Sequence, residues 1–415
     1  MLEVVYTSRS NDLEELARKD AMFVAQTIPG SKRPLVMEDG HGVYVRDISG
    51  REYIDCTAGI SVNNLGHGHP EILEAIRKQS EKILHTYPFG NFISRPQVEL
   101  AELLAKITPG RLSKAFFCNS GTEATEGALK LARKYTMKKW LISCERAFHG
   151  RTLGATSVTW KEIYRKPFEP LLPACQFVPY ADADALERAI TDDTAAFIVE
   201  PVQGEAGFIV PPDDYFPKVR EICDRHGVLL IMDEVQTGFG RTGKMFACEY
   251  WNVVPDIMTL GKALACGGVP MGAFISTPEI MDSFRWPPLS HCTTFGGHAL
   301  ACAVAKAALE TTIAEKLPER AAEMGGYFKK RLLELQEEFP NLITQVRGLG
   351  LMLGVAFRDT GVADAFVNGC FEKAVIVIWT INSANAIRIS PPLIITRQEI
   401  DDVVSRFREV LKSIH

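Results

Sequence analysis

An α/β fold is the architecture this sequence predicts: a large, mostly parallel sheet between helices, with a smaller α+β unit attached. Three observations predict it. Short apolar runs such as "AAFIVE" and "VLLIMDE" alternate with amphipathic helical segments, and strands apolar on both faces need helices on both sides. From about residue 305 onward the alternation gives way to long helices followed by a few strands. At 415 residues the chain also exceeds the length over which one hydrophobic core keeps growing, which favours a large and a smaller domain.

The elements follow in chain order. Residues 1–55 are expected to pack with the small unit, 56–304 to form the large domain, and 305–415 the small α+β domain. "PEILEAIRKQSEKILHT" and "RPQVELAELLAKI" place apolar residues at helical spacing, while "KAFFCN", "AAFIVE", "VLLIMDE" and "PMGAFIS" read as strands bounded by turn residues. "HALACAVAKAALETTIAEKL" and "PERAAEMGGYFKKRLLELQEEF" read as helices, followed by "QVRGLGLMLGVAF", a further helix and "AIRISPPLII". The last helix opens on a capping box, Thr396 with Glu399 three residues later.

Composition narrows the function classes. With 46% hydrophobic and 23% charged residues the chain resembles ordinary globular proteins. A net charge of -5 with no Lys/Arg block argues against nucleic acid or an anionic membrane as partner. No apolar run approaches the roughly 20 residues that span a bilayer. "MLEVVYTSRSNDLEELARKD" lacks the basic and apolar regions of a secretory signal. The ten cysteines are scattered with no CxxC, as in reduced cytoplasmic proteins.

Several residues carry chemistry. In "PDIMTLGKALACGGVPMGA" a lone Lys262 stands among small and apolar residues. It either snorkels to solvent or, desolvated, loses its proton readily and serves as a Schiff-base nucleophile. "FFCNSGTEATEGALKLARKY" runs from strand to helix through Ser120, Gly121 and Thr122, where free amides and the helix dipole can hold a phosphate; Ser120 and Glu123 also fit an ordinary cap. Asp233 ends an apolar strand, where a carboxylate needs a polar partner and where open α/β sheets place their sites. "GFGRTGKM" matches a nucleotide-binding P-loop only as far as its lysine, because Met245 stands where a magnesium-binding hydroxyl is required. His67 and His69 have no third ligand at zinc-like spacing, so no metal is expected.

Taken together, "YIDCTAGISVNNLGHGHPEI", "NSGTEATEGALKLARK", "FHGRTLGA", "VEPVQGEAG", "MDEVQTGFGRTGK", "LGKAL", "HCTTFGG" and "IRISPPL" resemble the class III aminotransferases of the ornithine, acetylornithine and 4-aminobutyrate type. The resemblance spans nearly the whole chain. It implies the type I fold of enzymes dependent on pyridoxal 5'-phosphate, with Lys262 holding the cofactor as a Schiff base. Asp233 would then partner the pyridine N–H, Phe148 and Val235 pack on the two ring faces, and Gln236 contact the ring hydroxyl. Ser120, Gly121 and Thr122 would hold the phosphate together with Thr294 of a second subunit, so that a homodimer, or a dimer of dimers, shares its sites. Arg388 corresponds to the arginine that pairs with an α-carboxylate, and Glu205 to the glutamate that masks it for ω-amino substrates; Arg151 is a second carboxylate candidate. The implied reaction moves an amino group from an amine or ω-amino acid to an α-keto acid such as 2-oxoglutarate or pyruvate.

The chain departs from the family pattern at His298-Ala299, where many relatives have Asn-Pro, at "TLGK" before the lysine, and at "HTYPFGNF", residues 85 to 92. These differences bear on substrate and not on the chemistry. An amino-acid racemase or epimerase on the same fold is the alternative, although no second acid or base for the opposite face is visible.

Overall fold

Strands that are apolar along their whole length can only be interior strands. Thr194–Val199, Leu229–Asp233, Ile257–Leu260 and Gly272–Ser276 are buried at every position in the computed structural model, which describes residues 2–27, 35–88 and 92–414, with side chains from residue 12 onward. They lie inside a seven-stranded sheet in the order Lys114–Cys118, Gly272–Ser276, Ile257–Leu260, Leu229–Asp233, Thr194–Val199, Trp140–Cys144, Cys175–Val178. Pairing is parallel from Ile257–Leu260 outward to Cys175–Val178. Gly272–Ser276 runs antiparallel to both its neighbours, which makes the sheet mostly parallel.

Two four-stranded sheets complete the strand framework among the described residues. One joins Met37–His41, Tyr44–Asp47 and Glu52–Asp55 to Val375–Ile376, so that residues near the two ends of the chain share a sheet. The other is antiparallel, in the order Ile343–Leu349, Met352–Phe357, Ala386–Ile389, Ile378–Trp379. The boundary expected between 304 and 305 falls inside the helix Ala299–Ala314, which packs on the helices Pro70–Ser80 and Arg95–Ile107. Pro70–Ser80 is shorter than its apolar spacing suggested and is capped at Glu81, with the Ser80 hydroxyl donating to the Arg77 carbonyl in its last turn. The final helix, Arg397–Ser413, does carry the Thr396–Glu399 capping box.

The stretch resembling a P-loop is a structural joint. Arg241 is wholly buried, and its guanidinium donates to Asn64 Oδ1 at 2.5 Å and to the carbonyls of Leu351 at 3.1 Å and Pro391 at 2.5 Å. One side chain thereby ties together three distant stretches of chain. Burial lowers its pKa to about 9, against the weaker opposing pull of Cys266 and Asp55. His67 pairs with Asp55 at 2.9 Å and His69 caps the helix Pro70–Ser80, so both have structural partners.

Candidate active site

The carboxyl ends of neighbouring strands deliver chemistry to one place, the usual location of a site in an open α/β sheet. Phe148 to Arg151 lie in the stretch after Trp140–Cys144, Glu200 directly follows Thr194–Val199, Asp233 ends its own strand, and Lys262 follows Ile257–Leu260 by two residues. The helix Gly121–Thr136 starts close behind the strand Lys114–Cys118. Together these segments enclose a cavity of about 250 Å³, lined by Gly121, Thr122, Phe148, Arg151, Asp233, Val235, Gln236 and Lys262, and also by His149 and Glu200.

Lys262 adopts a left-handed backbone, φ 44°, a conformation that side chains other than glycine visit at a cost and that often marks functional positions. Burial pushes its ammonium pKa down, against the opposing pull of Asp233, Glu205 and Glu200. The amine therefore loses its proton more readily than a surface lysine, which favours the nucleophile over the snorkelling side chain.

Asp233 is held in place from two directions. One oxygen accepts the Val235 N–H at 3.0 Å, and the other lies 2.7 Å from His149 Nδ1, both side chains being buried. A carboxylate at this position can only accept, so Nδ1 carries the proton. His149 Nε2 is buried without a hydrogen-bond partner among the described residues. Glu200 receives the Phe148 and Gly204 N–H groups, each at 2.9 Å. Burial lifts its pKa to about 7; His149 pulls the other way and Asp233 adds to the rise. The reading of the sequence passed over both residues. Glu200 carried the same signal as Asp233, a carboxylate at the end of a wholly apolar strand.

At the helix start, Ser120 Oγ accepts the Glu123 N–H at 3.3 Å, and the Glu123 carboxylate returns to the Asn119 N–H. Ser120 is thus a cap and does not line the cavity, whereas Gly121 and Thr122 do. The first amides of this 16-residue helix have no acceptor within it, so capping and anion binding coexist there. Gly121 is required by contact: a Cβ would lie 2.7 Å from Val235 Cγ1. Gly150 is required twice, by φ +134° and because a Cβ would meet Thr122 Oγ1 at 2.2 Å. That Thr122 oxygen accepts the N–H groups of Arg151 and Thr152, at 3.1 and 3.2 Å.

The carboxylate-recognition candidates divide into two groups. Arg388 and Glu205 form a buried bidentate pair at 2.6 and 2.7 Å, close enough to influence Lys262. Arg151 is exposed, its guanidinium 4.9 Å from the Phe148 ring centre and 4.7 Å from that of Tyr164. Thr294 is exposed and is not among the residues lining the cavity of its own chain. Of "HTYPFGNF", residues 89–91 lie outside the described residues.

This donor set fits pyridoxal phosphate. A helix N-terminus suits the phosphate, a buried carboxylate suits a pyridinium N–H, and a lysine with a lowered pKa suits the aldehyde. Close glycine packing also leaves the cavity clear of side chains beside Val235 and Thr122.

Comparisons with known proteins agree with this geometry. The family model for class III aminotransferases matches residues 27–411. An acetylornithine aminotransferase of Methanopyrus kandleri is 46% identical over 92% of this chain and 96% of its own. A putrescine aminotransferase of Pectobacterium atrosepticum is 43% identical over 89% of this chain and 80% of its own. The structure of Toxoplasma gondii ornithine aminotransferase with partial occupancy of PLP at the protein active site superposes with a TM-score of 0.89 at 33% identity, covering 98% of this chain and 97% of that one. None of these similarities supports racemisation.

Proposed function

The chain belongs to the class III aminotransferases, and from that premise we propose that it transfers the terminal amino group of an ω-amino acid or diamine to a dicarboxylic 2-oxo acid such as 2-oxoglutarate. It is a transaminase dependent on pyridoxal phosphate. The observation that carries the finer reading is the buried Arg388–Glu205 pair beside Lys262. An arginine neutralised by a movable carboxylate can serve two substrates in turn: it stays covered for an ω-amine and is uncovered for an α-carboxylate.

When bound, the cofactor supplies an aldehyde that captures amines and a protonated ring that takes up the electron pair released at the substrate carbon. Asp233, fixed by His149 and Val235, would present its carboxylate to that ring nitrogen. Gly121 and Thr122 offer the helix start to the phosphate, and Gln236 stands ready for the ring hydroxyl. Phe148, held through its N–H by Glu200, and Val235 bracket the space for the ring. The free Lys262 amine would take the proton from the substrate carbon that carries the amino group and, once protonated, serve as the general acid that gives it back.

Arg151 is placed to receive the distal carboxylate of a substrate that Arg388 or Lys262 engages at the other end. The exposed Thr294 supports a homodimer with shared phosphate contacts, and ten unpaired cysteines support a cytoplasmic setting. The experiment is a donor panel of N-acetylornithine, ornithine and putrescine with 2-oxoglutarate, following glutamate formation. The reading predicts turnover that stops after one equivalent per site when the oxo acid is left out. Continuous loss of optical rotation from one enantiomer without any acceptor would overturn it.

A further inference from the structure

The Glu205 carboxylate has a third partner besides the two arms of Arg388. Its Oε2 accepts the N–H of Ile381 at 3.0 Å, and its main-chain carbonyl accepts the N–H of Asn382 at 2.8 Å. Ile381 and Asn382 belong to the turn between the strands Ile378–Trp379 and Ala386–Ile389, the second of which carries Arg388. On the opposite side of the same peptide stretch, Lys161 Nζ donates to the Ile381 carbonyl at 2.6 Å. Lys161 also lies 5.5 Å from the ring centre of Tyr164, the ring against which Arg151 rests. Lys161 therefore touches both the turn that holds Glu205 and the ring that supports Arg151.

We propose that Lys161 is a specificity-determining residue that latches the Glu205–Arg388 pair by pinning Ile381, so that it sets how readily Arg388 is released to a substrate carboxylate. The inference rests on the reading of Arg388 given above and goes beyond it. While Lys161 holds the carbonyl, the Ile381 N–H stays aimed at Glu205, and a departing Glu205 leaves that half-buried amide without its acceptor. Without Lys161 the turn keeps the Asn382 bonds to the Glu205 and Arg146 carbonyls but loses the restraint at Ile381, so this amide turns toward water at less cost and Glu205 leaves more easily. A ligand that needs the uncovered arginine binds with an affinity scaled by the fraction of molecules in which it is uncovered, so loosening the latch raises apparent affinity. The sign is diagnostic. Loss of a cation near a binding site for anions should by charge alone weaken binding.

The test uses glutarate, an unreactive five-carbon dicarboxylate, titrated calorimetrically into cofactor-loaded protein. Arg388→Ala should weaken glutarate by tenfold or more, on the order of one charge-assisted bidentate pair. Lys161→Met, which keeps the stem and removes the ammonium, should tighten it roughly three- to tenfold, the range for the net worth of one ordinary hydrogen bond. Lys161→Arg should restore parental affinity. The cofactor absorbance and melting temperature of Lys161→Met should match the parent, which separates latching from a folding defect. If Arg388→Ala weakens glutarate while Lys161→Met leaves it unchanged or weaker, the latch is wrong and the Arg388 reading stands. If Arg388→Ala has no effect, the Arg388 reading fails and the latch falls with it.

Discussion

At the scale of the residue, burial decides what each titratable group does. Glu234, next to Asp233, is fully buried and its pKa is pushed up to about 7, with the Thr237 hydroxyl and the Cys248 N–H holding part of that rise back. An acid whose pKa is higher folded than unfolded binds more protons in the native state, so it costs stability progressively as pH rises from about 4.5 to about 7. Glu234→Gln removes that cost. Relative to the parent, its melting temperature should therefore improve between pH 5 and pH 7.5, as read by calorimetry on the two proteins side by side; a difference independent of pH would contradict the burial argument. Asp233 was legible in the sequence because a carboxylate at the end of "VLLIMDE" needs a partner. His149 was not, since a lone histidine in a loop becomes informative only when the fold sets it 2.7 Å from Asp233.

At the scale of the element, the helix Gly121–Thr136 and the turn after Leu229–Asp233 are fitted against each other. Gly121→Ala drives a Cβ against Val235, so the helix start or the valine must shift. We expect affinity for pyridoxal phosphate to fall about tenfold, in line with displacement of a single well-placed anion contact, as measured by equilibrium dialysis. Retention of parental affinity would show that the helix start does not hold the phosphate. At the far end of the chain, Thr396→Ala removes a capping box and should cost about 1 kcal/mol in denaturant unfolding without affecting cofactor affinity. Helices and strands were readable from periodicity because buried faces impose it. The reversed direction of Gly272–Ser276 was not readable, since a strand buried on both faces has the same apolar pattern in either direction.

At the scale of the whole molecule, the fold brings residues from distant parts of the chain into contact. Arg241 bonds to Asn64, Leu351 and Pro391, and Arg388 reaches Glu205 across 183 positions. Such pairings are invisible to local pattern: the resemblance of ordered motifs pointed to Arg388 and Glu205, and nothing in the sequence pointed to Arg241. Replacing Arg241 with Leu would leave these buried oxygens without a donor, at roughly 1–3 kcal/mol each, and should lower stability well beyond an average surface substitution. The position of Thr294 outside its own cavity bears on assembly: mixing inactive Lys262→Ala chains with inactive Thr294→Ala chains should regenerate part of the activity through hybrid dimers. Hybrids as inactive as their parents would rule out shared sites.

The central claim is that the Lys262 amine, its pKa lowered by burial against the pull of Asp233, is the group that bonds the cofactor aldehyde. Borohydride reduction of the loaded protein, followed by digestion and mass mapping, tests it most directly. The account predicts a pyridoxyl mass on the peptide containing Lys262 and its loss in Lys262→Ala; the label on any other lysine of the native protein would contradict it.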